Sequence, residues 1–248
     1  MSGFGERYRA LRPGLAIGPH TNNQDFWDIV FGRPSAVLLL VVFGGLRWVT
    51  PNLLTLISLL LKLATAALVY WGGFSEWLWA ALLLQLSSSF DCADGQLARY
   101  RGTSSLVGAY LDKIVDSIGF LVLFAALADI CVQRTGELYY LHMAALAIFA
   151  LTASGYVKWI AVAEIVERGG SRQQTVSRTA RQVRWWHIPL KLVEFNEGDL
   201  HLWIGLALVF DRIEWAMWML AITQTAMVIA AMIYRGVQLH RLGKQPDG

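Results

Sequence analysis

Six apolar runs, over residues 51–72, 76–98, 105–132, 138–166, 199–211 and 214–235, alternate with short polar turns along the chain. A helix needs about 20 consecutive apolar residues to cross a bilayer. Five of the runs reach that length, and the fifth in order, around "HLWIGLALVF", reaches it only when extended back toward Phe195 or on into "DRIEW". The pattern predicts an all-α integral membrane protein with a six-transmembrane-helix bundle. Upstream, "SAVLLLVVFGGLRW" is too short to cross and is flanked by Arg33 and Arg47. It predicts an N-terminal amphipathic helix lying in the membrane interface. The preceding "GPHTNNQD" reads as polar loop. The expected division is 1–50 as an N-terminal segment with the interfacial helix, 51–236 as the six-helix domain, and 237–248 as a tail.

Composition agrees: 56% of the 248 residues are hydrophobic and 16% charged, which is unlike a soluble domain. Eleven Trp and eight Tyr suit a chain with two bilayer interfaces to anchor. Cys92 and Cys131 lie in or beside apolar segments, which argues against a disulfide framework. The first twenty residues have no apolar core of a signal peptide, so a cytoplasmic start is expected. With six spans, sixteen Lys and Arg fall in the segments on that side, and only Arg134 and Arg212 fall in the opposite turns. This asymmetry predicts that both termini face the cytoplasm. The net charge of +3 is modest, and no nucleic-acid partner is expected.

One stretch breaks the apolar pattern. "DCADGQLARYRGTSSLVGAYLDKIVD" carries Asp91, Asp94, Asp112 and Asp116 where the second span ends and the third begins. A carboxylate at the centre of a bilayer costs about 2.5–3.5 kcal/mol on insertion scales. Asp91 and Asp94 sit at i and i+3, and Gly108, Asp112 and Asp116 at i, i+4 and i+8, so each set shares a helix face. Two antiparallel neighbours can aim the four carboxylates at one point, where they repel unless a cation lies between them. Hard oxygen donors suit Mg²⁺, Mn²⁺ or Ca²⁺, and Mg²⁺ usually completes its shell with substrate phosphates. Gly95 and Gly108 remove side chains where a bulky group would approach the backbone. Ala98 is small on the same side, and Arg99 suits a carboxylate or phosphate.

The spacing Asp-x2-Asp-Gly-x2-Ala-Arg-x8-Gly-x3-Asp-x3-Asp resembles the signature of the CDP-alcohol phosphotransferase family at all eight fixed positions: Asp91, Asp94, Gly95, Ala98, Arg99, Gly108, Asp112 and Asp116. The stretch "RPSAVLLLVVFGGLRWVTPNLLT" and the six-span count also resemble that family. The resemblance implies a metal-dependent transfer, in phospholipid synthesis, of a substituted phosphate from a CDP-linked donor to an alcohol, with release of CMP. It implies that one or two Mg²⁺ or Mn²⁺ ions bind Asp91, Asp94, Asp112 and Asp116, with Asp116 a metal ligand, the general base that takes the hydroxyl proton, or both. Asn52, Gly95, Ala98, Arg99 and Gly108 would contact the donor. CDP-diacylglycerol with a small polar alcohol is the expected substrate pair, and a CDP-linked soluble headgroup with a lipid alcohol is the alternative. The resemblance further implies a homodimer in the cytoplasmic membrane, with the site facing the cytoplasm.

Other residues bear on the site. Arg178, Arg181 and Arg184 lie in a basic loop over 168–191, where they would clamp a phosphorylated acceptor or satisfy the positive-inside rule. Glu194, Glu197 and Asp199 precede the fifth span and would suit a polyol. Lys62, Lys113, Lys158 and Glu164 are ionisable groups in or near spans, and Lys113 is expected to point off the aspartate stripe. A different class of function, a cation transporter using the aspartates as an ion path, fits less well. Such sites tend to lie near the midplane within inverted repeats, and no repeat is evident.

Overall fold

A computed structural model describes residues 4–15, 25–167 and 196–243. These residues form α1 (Phe4–Leu11), α2 (Arg33–Phe43), α3 (Pro51–Trp71), α4 (Phe74–Arg101), α5 (Leu106–Thr135), α6 (Tyr139–Glu167), α7 (Glu197–Val209) and α8 (Ile213–Gly243). A π-helical turn, Asp28–Gly32, leads into α2. Among the described residues the fold is all helical. Four helices are long and apolar enough to cross a membrane: α3, α5, most of α6 and most of α8. The protein is a membrane protein. Large apolar side chains such as Trp71, Trp79, Phe149, Trp215, Ile222 and Ile233 stand exposed on the helices' outer faces, as they would against lipid. The polar second half of α4 and the 13 described residues of α7 separate these two helices from the other four.

Local chemistry sets the helix ends. Thr50 accepts a hydrogen bond from the Leu53 amide at 3.2 Å and Pro51 follows at the first helical position, which starts α3. Ser105 accepts from Gly108 N at 3.0 Å and starts α5. Between them α4 ends at Gly102, whose φ of +65° needs a residue without a β-carbon.

α3 packs along α4 and α5, α4 along α7, and α6 along α5 and α8. Their shared core includes Val69, Leu84, Phe120, Leu123, Leu127, Leu200, Ile204, Leu208, Met217 and Leu220. Ser58 donates to the Ser87 carbonyl and Ser87 to the Ser58 carbonyl, both at 3.2 Å, so small residues bring α3 and α4 close with their hydroxyls satisfied. A second cluster of Val37, Leu40, Val49, Leu54, Ala93 and Leu97 seats α2 against the motif-bearing end of α4.

Arg101, which the sequence pattern counted only as one more inside cation, holds that junction. Its guanidinium donates to the carbonyls of Gly44 at 3.0 Å and Leu46 at 2.8 Å and also to that of Val49. These carbonyls follow the end of α2, beyond the reach of its helical ladder, and the Leu46 carbonyl also accepts from Val49 N at 3.2 Å. Arg101→Met should therefore lower stability by about 2–4 kcal/mol, from charged hydrogen bonds worth about 1.5–3 kcal/mol each. A clear fall in the thermal midpoint of the detergent-purified protein is expected. An unchanged midpoint would show that α2 is seated by its apolar contacts alone.

Candidate active site

The motif delivers carboxylates from two helices to one place, although not all four in the same way. One oxygen each from Asp91, Asp112 and Asp116 lies within 4.8 Å of the others. Such a span suits one ion with ligand distances of about 2.0–2.6 Å. Asp94 stands apart from this trio. Its carboxylate accepts a hydrogen bond from Thr55 Oγ1 on α3 and is buried. The sequence pattern placed the four at a common point, and three of them have oxygens gathered there. Thr55, three residues after Asn52 on α3, supplies Asp94 with its hydrogen-bond partner.

Two lysines complete the cluster. Lys62 of α3 is fully buried, and its Nζ donates to Asp116 Oδ1 at 2.6 Å and stands 3.9 Å from Asp91. Lys113 corrects the expectation that it points off the stripe. Its flexible stem returns Nζ to 3.4 Å from Asp116 Oδ2 and 3.6 Å from Asp112, while it also meets Glu197 of α7 at 3.0 Å. A residue beside the stripe reaches it because four methylenes outweigh the angular offset. Both oxygens of Asp116 are thus held by lysines.

The remaining motif residues surround this centre. Asn52, exposed at the start of α3, lies beside Gly108: a β-carbon on Gly108 would stand 3.9 Å from Asn52 Oδ1. Gly95 leaves room beside the Arg99 guanidinium, which is exposed, and Ala98 is half-buried one turn on. Arg178, Arg181, Arg184 and Glu194 lie outside the described residues. An apolar cavity of about 560 Å³ runs between α5 and α6. Asp116, Lys113 and Glu197 line its polar part, with Tyr110, Leu151 and Trp159 among its apolar walls.

A family model described as CDP-alcohol phosphatidyltransferase matches residues 48–244. The chain belongs to that family. CDP-alcohol phosphatidyltransferases move substituted phosphate groups and generally depend on a divalent metal. The chain is 42% identical over 79 residues to a phosphatidylinositol phosphate synthase of Corynebacterium glutamicum, covering 32% of this chain and 35% of that protein. It is 37% identical over 79 residues to a bifunctional IPC transferase and DIPP synthase of Aquifex aeolicus, covering 32% and 18%. A phosphatidylinositol phosphate synthase of Streptomyces avermitilis is 27% identical over 208 residues, or 81% of this chain and 76% of that one. The match therefore spans about a third or less of the first two relatives' own length.

A second acidic group braces the CDP-alcohol phosphatidyltransferase core from the side and escaped the sequence pattern, which read residues 18–25 as loop. Asp25 is buried and accepts from the Gly198 amide at 3.0 Å, while the Trp27 amide donates to Asp199 Oδ1 at 2.8 Å. Trp27 Nε1 donates to Gln85 Oε1 at 2.7 Å, and Gln85 Nε2 to the His201 carbonyl at 2.7 Å. The residues before α2 are thereby tied to both α4 and the first turn of α7. Burial above all, then the neighbouring Asp28, pushes the Asp25 carboxyl up to about 7, with Asp199 and Glu197 adding to the rise and the Gly198 amide opposing it. Burial likewise lifts Asp28 to about 6, against the pull of Arg33 and the Cys92 thiol.

A carboxyl raised in the fold favours folding most below its unfolded pKa, and that contribution is lost as pH rises through the folded value. The protein should lose thermal stability between about pH 4 and pH 7 from this group. Asp25→Asn keeps an oxygen for the Gly198 amide and removes the proton. Melting curves across that range should be flatter for the variant, and parallel curves would contradict the assignment.

Proposed function

We propose that this protein transfers a phosphatidyl group from CDP-diacylglycerol to the hydroxyl of a polar alcohol and releases CMP, in phospholipid synthesis. The observation that carries the reading is the juxtaposition of a three-carboxylate cluster, suited to a divalent ion, with an apolar cavity that reaches the same aspartate. One end suits a diphosphate and the other an acyl chain. Two of the relatives are named phosphatidylinositol phosphate synthase, so a phosphorylated inositol is the first acceptor to test. The basic stretch of sequence carrying Arg178, Arg181 and Arg184 has the chemistry for the phosphate of such an acceptor.

In this reading Asp91, Asp112 and Asp116, with Asp94 alongside, hold Mg²⁺ or Mn²⁺ at the cytoplasmic end of a six-span bundle, with α2 lying in the interface. The bound metal would neutralise the diphosphate and stabilise the CMP leaving oxygen. Asn52, Gly95, Ala98, Arg99 and Gly108 accommodate the nucleotide, the glycines by leaving room and Arg99 by charge. Asp116 accepts the proton of the attacking hydroxyl through one carboxylate oxygen, a form of help typically worth about 10²–10⁴-fold. Lys62 and Lys113, the latter tied to Glu197, orient the carboxylate from either side, and each oxygen keeps a second lone pair for this role. Both termini are cytoplasmic, and the working unit is a homodimer.

Two measurements test this. CMP release with CDP-diacylglycerol, a divalent metal and a panel of alcohols should require an acceptor, and Asp116→Asn should reduce it at least about 100-fold. Release by the wild type only with a CDP-linked soluble headgroup and a lipid alcohol would reverse the roles of donor and acceptor. For the cavity, Gly155 is a direct probe, because a β-carbon there meets nothing within 4 Å and a larger side chain enters open space. Gly155→Leu should raise KM for a long-chain donor several-fold while leaving a short-chain donor nearly unaffected. Equal effects on both would remove the acyl chain from this cavity.

A further inference from the structure

Lys62 is not part of the aspartate signature, yet it occupies the centre of the cluster that the signature builds. It comes from α3, whereas the aspartates come from α4 and α5. Its ammonium lies 2.6 Å from Asp116 Oδ1 and 3.9 Å from Asp91 Oδ1, with the whole side chain buried. The neighbouring helix is cut to receive it. A β-carbon on Gly119 would stand 2.6 Å from Lys62 Cδ and 3.2 Å from its Cβ, so the stem runs through a notch only glycine leaves. Phe120 closes the other side, its ring centre 5.1 Å from Nζ. A lysine free to choose would extend its charge to water. This one is walled in with its charge directed at two aspartates.

The charges around it set the consequence. Fully ionised, as ligands to a cation are, Asp91, Asp94, Asp112 and Asp116 would carry four negative charges, and Lys62 and Lys113 return two. Counting the four aspartates and two lysines, what remains matches one divalent ion; Glu197, which shares Lys113 with the aspartates, lies at the partly solvated rim. The ammonium also covers the lone pair of Asp116 Oδ1 that a second ion would need.

We propose that Lys62 is a built-in cation that takes the place of a second metal, so that this protein binds one divalent ion where four aspartates could hold two. The proposal rests on the metal-site reading above and goes beyond it by fixing the number of ions. Lys62 acts through the aspartates and is a positioning residue.

The test is Mn²⁺ alone, titrated into the detergent-purified full chain and followed by bound-metal stoichiometry and electron paramagnetic resonance. The wild type should bind one Mn²⁺ per chain with the signal of an isolated ion. Lys62→Met, close to lysine in length and uncharged, should bind two, with the exchange-coupled signal of a metal pair, and its first ion should bind at least tenfold tighter. Lys62→Leu, which likewise removes both the charge and the donor to Asp116, guards against a folding defect in the first variant and should also bind two. Two ions in the wild type would overturn the proposal and leave the metal site standing. One ion in the wild type and in both folded variants would also overturn it. No ion in the wild type would remove the metal-site reading, and the proposal with it.

Discussion

Placing carboxylates inside an apolar bundle is costly, and most of the polar detail in this structure follows from meeting that cost. Asp116 is the focus. One oxygen is held by a lysine that crosses from α3 through the Gly119 notch, and the other by a lysine from its own helix that also grips α7. Asp94 is met by Thr55. Three helices thus converge on the aspartates through charge and hydrogen bonding, while their other halves pack as an ordinary apolar core.

That division of labour runs along the bundle. At the motif end, Arg101 collects the carbonyls behind α2, and Asp25 and Asp199 lock the segment before α2 to the start of α7. At the far end, Arg134 pairs with Asp211 at 2.6 Å and stacks 4.3 Å over the Trp77 ring, tying α4, α5 and the turn before α8. Polar ties at both ends frame an apolar middle, so the helices are fixed in register where apolar packing alone would let them slide.

The helical period made much of this legible in the sequence. Apolar run lengths located the helices from α3 to α6 to within a few residues, and the i, i+3 and i, i+4 spacings put Asp91, Asp112 and Asp116 on converging faces. What stayed hidden depended on contacts between distant segments. Lys62 showed only as an ionisable residue in a span, because nothing in α3 reveals that Gly119 will lie opposite it. Asp25 looked like part of a loop because its partner is the amide of Gly198, far along the chain. Lys113 was misjudged because angular position on a helix describes a β-carbon and not the reach of a long side chain. The α7 region was faint for a compositional reason, its apolar run being short and preceded by acidic residues.

The cavity between α5 and α6 carries one more implication. Leu106, Tyr110, Tyr156 and Trp159 line it and are themselves exposed on the outer surface, so it opens sideways. A lipid seated there would arrive and depart by diffusing within the leaflet, never crossing water. Its occupancy would follow the lipid's mole fraction in the membrane, so diluting the bilayer with inert lipid would slow the reaction even at constant bulk concentration.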